Sequence, residues 1–578
     1  MEPHFSPAAL AVLEERYLRR DEQGQIVEDP MGMLRRVARA VAAPAAKFSE
    51  SPEEWEERFF HRLSTLQFLP NSPTLMNAGL PKGQLAACFV LPVEDDLDSI
   101  FTALLRMARI HQTGGGTGFS FSKLRPKSDR VRSTGGITSG PVSFMELFDH
   151  TTAVIREGGR RRGANMAVLR IEHPDIEEFI EAKRKPGRLE NFNLSVGITD
   201  AFFEAYEQGR PFPLVNPRTG QVVREVDPRA LLERIAEAAW ACGDPGLVFL
   251  DEVNRHQPTP ALGSIEATNP CGEQPLLPNE SCVLGSLSLP RFLRGEEIDW
   301  EELRAAIHDA VTFLDNVIEA TAHPFPEIEI ATRRTRKIGL GIMGWADLLA
   351  QLGIAYDSEA AIDLAGEVSV FVNIEARIAS LELARRRGPF PVFAESVWPA
   401  RGFKTLRNAA ATCIAPTGTI SLIAGVSSGI EPFFALAVCR RLLDGRRFVE
   451  IHPAVEQLLA QMPEHAATIR EHLEQHGSWG SLEIVPEEIR RRFRTAHEIA
   501  PEWHLKMQAQ FQAYVDAAVS KTINLPAEAT PQDVLQAYLM AHEQRVKGVT
   551  VYRYGTRPGQ VLSLVDDAAQ AECRECAV

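Results

Sequence analysis

From about residue 66 to residue 435 the chain repeats one rhythm: a short apolar run, a glycine or polar turn, then a helical pattern. Residues 86–91, 194–198 and 411–415 are apolar runs of this kind. Strands buried on both faces read as continuous apolar text, and a helix between successive strands is the connection a parallel sheet requires. The rhythm therefore predicts an α/β fold built of βα units, closing a largely parallel sheet or barrel. Residues 1–65 read instead as a short helical N-terminal region. Leu10, Val12, Leu13, Tyr17 and Leu18 share one face there, and Met33, Leu34, Val37 and Val41 repeat the pattern. Residues 436–510 again read as helical and rich in charge, and short apolar segments return at 521–526 and 548–554. Residues 565–578 are small and polar, the text of a flexible tether, and carry Cys573-Arg574-Glu575-Cys576.

A formal net charge of −15 argues against non-specific wrapping of nucleic acid, although a local loop such as Arg160-Arg161-Arg162 still suits an anionic small ligand. No basic segment followed by an apolar run opens the chain, and no window approaches 18 uninterrupted apolar residues, so neither a signal peptide nor a membrane span is expected. A cytoplasmic protein keeps its cysteines as thiols, and the eight here are then redox or metal groups before they are a disulfide framework.

The segment Asn269-Pro270-Cys271-Gly272-Glu273 is the most informative. Proline and glycine impose a tight loop around one thiol, with a carboxamide and a carboxylate two residues to either side. In an extended loop all three side chains would point one way, giving a nucleophile, a hydrogen-bonding amide and a base. A buried turn with an inert thiol is the plainer reading. Cys88 and Cys282 lie in apolar runs and read, alone, as small core residues; Cys242, Cys413 and Cys439 keep that reading. Three glycine-rich stretches could meet phosphate: Gly114–Gly118, Gly158–Gly163, and Pro416-Thr417-Gly418-Thr419-Ile420-Ser421. Ordinary turns explain any one of them, but three together favour a phosphorylated ligand of nucleotide size. The terminal Cys573-x-x-Cys576 lacks the second ligand pair that zinc needs, so no metal site is expected; on a tether it suits an arm that carries thiols into a pocket.

Taken in order, Asn71-Ser72-Pro73-Thr74-Leu75, the Cys88 run, Gly116, Asn269–Glu273, Cys282 and Pro416–Ser421 resemble the ribonucleotide reductases, as do Ser139–Met145 and Gly339–Gly344. The resemblance runs from about residue 60 to residue 560. It implies a ten-stranded α/β barrel over residues 66–564 whose central finger loop carries the radical cysteine. It gives Cys271 the thiyl radical that takes the 3′-hydrogen, Glu273 the role of base on the 3′-hydroxyl, and Asn269 a hydrogen bond to the sugar. Cys88 and Cys282 supply two electrons and become a disulfide, which the pair Cys573 and Cys576 reduces, with thioredoxin or a similar dithiol as the outside donor. Ser72, Ala87, Cys88, Gly116, Asn269, Pro270, Cys271, Gly272, Glu273 and Pro416, Thr417, Gly418, Thr419 and Ile420 match substrate-holding positions, the last five on its phosphates. Asp95, Arg125 and Arg161 match contacts to a deoxynucleotide or ATP effector, and a homodimer goes with such a site.

Relatives that take their radical from a second protein carry adjacent tyrosines, whereas Arg553 separates Tyr552 from Tyr554 here. The resemblance thereby points to adenosylcobalamin, whose cobalt–carbon bond is the radical source; a large subunit fed by a separate metal-radical subunit is the alternative. No Asp-x-His-x-x-Gly segment offers a histidine to the cobalt. With about 65 residues ahead of the barrel text, specificity control is expected without an overall activity switch.

Overall fold

The computed structural model describes residues 5–81, 83–131, 135–156, 163–441, 447–480 and 482–556. Three N-terminal helices start alike: Ser6, Asp29 and Ser51 each accept a backbone N–H of the first turn, and a proline follows at the first helical position. They are α1 (Pro7–Val12), α2 (Pro30–Ala42) and α3 (Pro52–Ser64), with a π-helical turn at Leu13–Tyr17. Met33, Leu34, Val37 and Val41 are fully buried, as the sequence repeat anticipates.

Ten strands form one sheet: β1 (Phe68–Pro70), β2 (Cys88–Val90), β3 (Gly116–Ser120), β4 (Asn165–Arg170), β5 (Phe192–Ile198), β6 (Gly246–Phe249), β7 (Ser281–Ser288), β8 (Ile338–Met343), β9 (Thr522–Leu525) and β10 (Gly548–Arg553). β2 to β6 run parallel to one another. β10 and β9 are parallel, as are β7 and β8. Two parallel bridges, Leu340 to Thr412 and Ile414 to Val519, join β8 through the segment 411–415 to the approach of β9. The ring closes through two antiparallel seams, β7 on β2 and β10 on β6. The barrel is thus two parallel halves of opposite sense, and closure removes the open edges of an ordinary sheet. β1 lies antiparallel on β7.

Helices cover the outside. α4 (Ser72–Asn77) starts at Asn71, whose side chain accepts the Thr74 amide; α5 (Leu97–Gln112) and α6 (Pro141–Arg156) pack side by side. α7 (Trp300–Ala320) and α8 (Glu359–Arg387) back the second half, and α9 (Gly418–Ala424) follows the segment 411–415. Between α7 and α8 the fully buried carboxylate of Asp315 binds Arg336 at 2.7 Å, and Arg387 and Arg407 each at 3.2 Å. One segment departs from the sequence expectation of helix over 436–510: Ala437–Arg441 and Arg447–Ile451 pair as an antiparallel hairpin before the helices resume. Short runs rich in β-branched and aromatic residues, Ala437-Val438 and Phe448-Val449, suit a strand and outweigh the charge pattern locally.

Candidate active site

A hairpin enters the barrel between β6 and β7. Thr268 pairs with Pro275 and Ala267 with Leu276, and the tip is Asn269–Gln274. Two bonds shape the tip: the Gly272 amide donates to Asn269 O at 3.1 Å, and the Gln274 amide to Asn269 Oδ1 at 2.9 Å. Gly272 takes φ +81°, a conformation side chains rarely adopt. The alternation expected of an extended loop is therefore lost. Cys271 is exposed at the tip, while Asn269 and Glu273 are buried.

Glycines let this finger lie against the barrel wall. A Cβ on Gly118 would stand 1.8 Å from Thr268 O, and one on Gly116 2.9 Å from Pro270 Cγ. The glycine-rich stretch 114–118 thus runs into a strand that admits the finger; it does not form a phosphate turn. Asn193, on β5, donates to Pro270 O at 2.8 Å and ties the far side of the tip. Nothing local in the sequence marks Asn193.

Behind the tip, Cys88 and Cys282 are direct partners across the seam of β2 and β7. Cross-strand partners have Cα separations of about 4.5–5.5 Å, inside the range of a disulfide. Asn269 Nδ2 reaches Cys88 Sγ at 3.3 Å. Burial pushes the Cys282 thiol well above its ordinary value, and the hydrogen bond and charge of Cys88 push it the same way. Cys413, read from sequence as an inert core residue, packs in the same cluster as Cys88 and Cys282. Its thiol is raised by burial first and then by the charge of Glu273. The cluster draws residues from five separate strands, so the sequence around Cys413 could not reveal them.

Cys271 faces a cavity of about 1130 Å³, bordered also by Gly418 and Thr419 and by Val549–Tyr552 of β10. That exceeds the roughly 300–1,000 Å³ of ordinary ligand pockets. Glycine and serine walls at 243, 246, 427 and 428, with amide and hydroxyl groups at Asn524 and Thr550, suit a broad group that carries amide arms. Among the described residues of this wall His452 is the only imidazole, and its Nδ1 accepts the Ala454 amide at 3.3 Å. A second buried network, absent from the sequence reading, lines the same cavity. Lys521 donates to Glu431, to His504 Nδ1 at 2.7 Å and to Thr522 O at 2.7 Å. His504 Nε2 donates to Ala496 O, so the ring is neutral, and burial holds its pKa well below the ordinary value.

The other expected residues fall as follows. Thr417, at φ +53°, starts α9, and its hydroxyl accepts the Gly429 amide at 2.8 Å; Pro416 precedes it and Ile420 is buried behind it. Ser72 Oγ shares a 2.8 Å bond with Tyr17 Oη. Ala87 is buried, its amide donating to Cys282 O and its carbonyl accepting Gly116 N. Asp95 and Arg125 pair with each other at 2.8 Å. Arg161, Cys573 and Cys576 lie outside the described residues. Tyr552 borders the cavity, Tyr554 packs on His497, and Arg553 between them stacks on Trp240 at 4.3 Å.

The fold is a closed α/β barrel with a cysteine-tipped finger, backed by two thiols in register and facing a large cavity. Comparison with known proteins gives the family. The profile described as "Ribonucleotide reductase, barrel domain" matches residues 86–405 and 402–552, and "Ribonucleotide reductase, all-alpha domain" matches 4–83. This chain belongs to the ribonucleotide reductase family. It is 52% identical over 561 residues to the vitamin B12-dependent ribonucleoside-diphosphate reductase of Mycobacterium tuberculosis, covering 97% of this chain and 81% of that one. The protein of the same description from Thermoplasma acidophilum is 45% identical over 613 aligned positions, covering 96% and 80%. Among solved structures, the Actinobacillus ureae class Id ribonucleotide reductase alpha subunit superposes with a TM-score of 0.77 at 25% identity, covering 95% of this chain and 97% of that one. No helix among the described residues is long and apolar enough to cross a membrane.

Proposed function

We propose that this chain reduces ribonucleoside diphosphates to 2′-deoxyribonucleotides by a thiyl-radical route that depends on adenosylcobalamin. The observation that carries the reading is the exposed Cys271 at the finger tip, facing an oversized cavity, with Cys88 and Cys282 in register behind it. When bound, adenosylcobalamin supplies a carbon-centred radical by homolysis of its cobalt–carbon bond. Val549–Tyr552, Asn524 and the 427–428 turn are the residues that hold it. The names of the Mycobacterium and Thermoplasma relatives support both the cofactor and the diphosphate.

The roles then divide among this chain's side chains. Cys271, as thiyl, takes the 3′-hydrogen, and Glu273 accepts the 3′-hydroxyl proton. Asn269 orients the sugar. One thiol proton of the Cys88–Cys282 pair leaves with the 2′-hydroxyl as water, the second thiol hydrogen goes to C2′, and the two sulfurs, having given two electrons, join as a disulfide while Glu273 returns its proton to the 3′-oxygen. Cys271 returns its hydrogen to C3′ at the end. The protonated state of Cys282 suits the pair to donate. The Ser72, Ala87, Gly116 and 416–420 positions hold the substrate, the last on its phosphates. The tail pair Cys573 and Cys576 resets the disulfide and is itself reduced by a thioredoxin-class dithiol, a cycle suited to the cytoplasm.

Arg553 speaks against supply of the radical by a second subunit, because its stack on Trp240 occupies the place between the two tyrosines. Effector nucleotide binds around Asp95, Arg125 and Arg161. The chain pairs with a second copy through α5 and α6, where Leu97, Phe101, Leu105, Leu147 and Val154 are exposed apolar residues; a monomer by light scattering at micromolar concentration overturns the pairing. The deciding assay is deoxynucleotide formation by the purified chain with CDP, dithiothreitol and effector, with and without adenosylcobalamin. Product only with the cofactor is expected. Product only when a metal-radical subunit is added overturns the cobalamin dependence.

A further inference from the structure

We infer that Arg16, on the N-terminal helical segment, is a substrate-specificity residue that binds the terminal phosphate of a ribonucleoside diphosphate across the cavity from the 416–420 turn. The inference rests on the proposed function and adds to it the group that recognises the second phosphate. A diphosphate brings about three negative charges to a site whose phosphate turn, Pro416-Thr417-Gly418-Thr419-Ile420, has neutral donors and no cation. A Cβ on Gly418 would meet nothing within 4 Å, so the turn faces open space.

Only two strong cations, Arg16 and Lys521, are among the described residues lining the cavity. Lys521 has its three hydrogens committed to Glu431, His504 and Thr522 O. Arg16 forms no salt bridge or hydrogen bond among the described residues. Glu15 lines the same wall, and no ion pair joins it to Arg16 among the described residues.

The N-terminal segment is fixed where this role needs it. α1 packs on α9, which begins at the phosphate turn. The next residue, Tyr17, is buried and bonds Ser72, another of the substrate-holding positions. Arg16 is thus carried between the two elements that the proposed function gives to the substrate. The π-helical turn Leu13–Tyr17 inserts an extra residue there, a device common at functional sites. An arginine at this point lets the site prefer a diphosphate to a monophosphate with a bidentate contact that a backbone turn alone cannot make.

The test measures CDP and CMP binding by calorimetry, with steady-state kinetics on the full chain, for wild type, Arg16→Gln and Arg16→Lys. Arg16 is half-exposed, and circular dichroism and thermal melts check that the variants fold as wild type does. R16Q is expected to weaken CDP about tenfold to a hundredfold while CMP binding stays within about twofold, and to raise KM with kcat nearly kept. R16K is expected to recover part of the loss. CDP binding unchanged in R16Q, or CDP and CMP weakened equally, overturns the role of Arg16 and leaves the proposed function standing. A wild-type chain that binds neither nucleotide overturns the proposed function, and this role with it.

Discussion

The side-chain amide of Asn269 links the finger to the dithiol: its Nδ2 lies 3.3 Å from Cys88 Sγ while its Oδ1 accepts the Gln274 amide at 2.9 Å. One residue therefore closes the turn that presents Cys271 and sets the distance from the tip to the pair behind it. Asn269→Ala removes both bonds and leaves a buried amide without its acceptor. Stability to urea is expected to fall by about 1–3 kcal/mol, and kcat by about a hundredfold. Asn269→Asp keeps the acceptor and loses the donor, so it recovers stability more than rate.

Gly118 tests the finger by sterics alone. Its added methyl would stand 1.8 Å from Thr268 O, so in Gly118→Ala the finger must move, whereas at Gly114, where a Cβ meets nothing within 4 Å, there is room for one although φ is +87°. A displacement near 1 Å at a reacting group costs on the order of 10²-fold in rate. G118A is expected to lose that much kcat while substrate Kd changes less than about threefold. Full activity in G118A would mean that the finger does not need this wall.

The thiols differ in how far solvent and base can reach them. Cys271 is exposed, while Cys88, Cys282 and Cys413 are buried, and burial raises the last two thiols. Alkylation by iodoacetamide at pH 7.5, followed by peptide mapping, is expected to label Cys271 at least about tenfold faster than these three. Cys271→Ser is expected to abolish turnover, by roughly 10³-fold or more, and to leave the melting temperature within a degree or two.

The parts legible in the sequence were those with a local signature. Periodic apolar faces gave the N-terminal helices, apolar runs gave the barrel strands, and the spacing of Asn269, Cys271 and Glu273 marked the finger. What stayed hidden depends on closure of the barrel. Asn193 meets Pro270 across 77 residues, and Cys413 joins the dithiol only because 411–415 slots beside β8. The turn of the finger has a further determinant: Gly272 bends the chain at φ +81°, a conformation that the residue pattern alone does not specify. Lys521 and His504 form a buried pair from two elements that are separate in the sequence text, so neither showed a partner.

Two groups predict how stability depends on acid, and they act in different pH windows. Burial holds His111 neutral with a pKa of about 4, against 6.5 for the free side chain. Its folded pKa is depressed, so the unfolded chain takes up the proton first, and stability is lost as pH falls from about 6.5 to about 4, by about 3 kcal/mol at most. Burial opposes ionisation of Glu319, but the hydrogen bonds and charges of Arg333 and Arg336 override it and hold the carboxyl at about 2. That is a depressed carboxylate, so its contribution is present above about 4.5 and lost as pH falls toward 2. Urea midpoints across pH 7 to 3 are expected to decline in two stages. His111→Gln lessens the upper stage, to which the buried His504 also contributes, and Glu319→Gln lessens the lower. Asp315→Asn behaves differently from both: it leaves three buried arginines without their shared carboxylate and is expected to cost about 3–5 kcal/mol already at pH 7. An Asp315→Asn protein as stable as wild type at neutral pH would show that the arginine cluster does not depend on that charge.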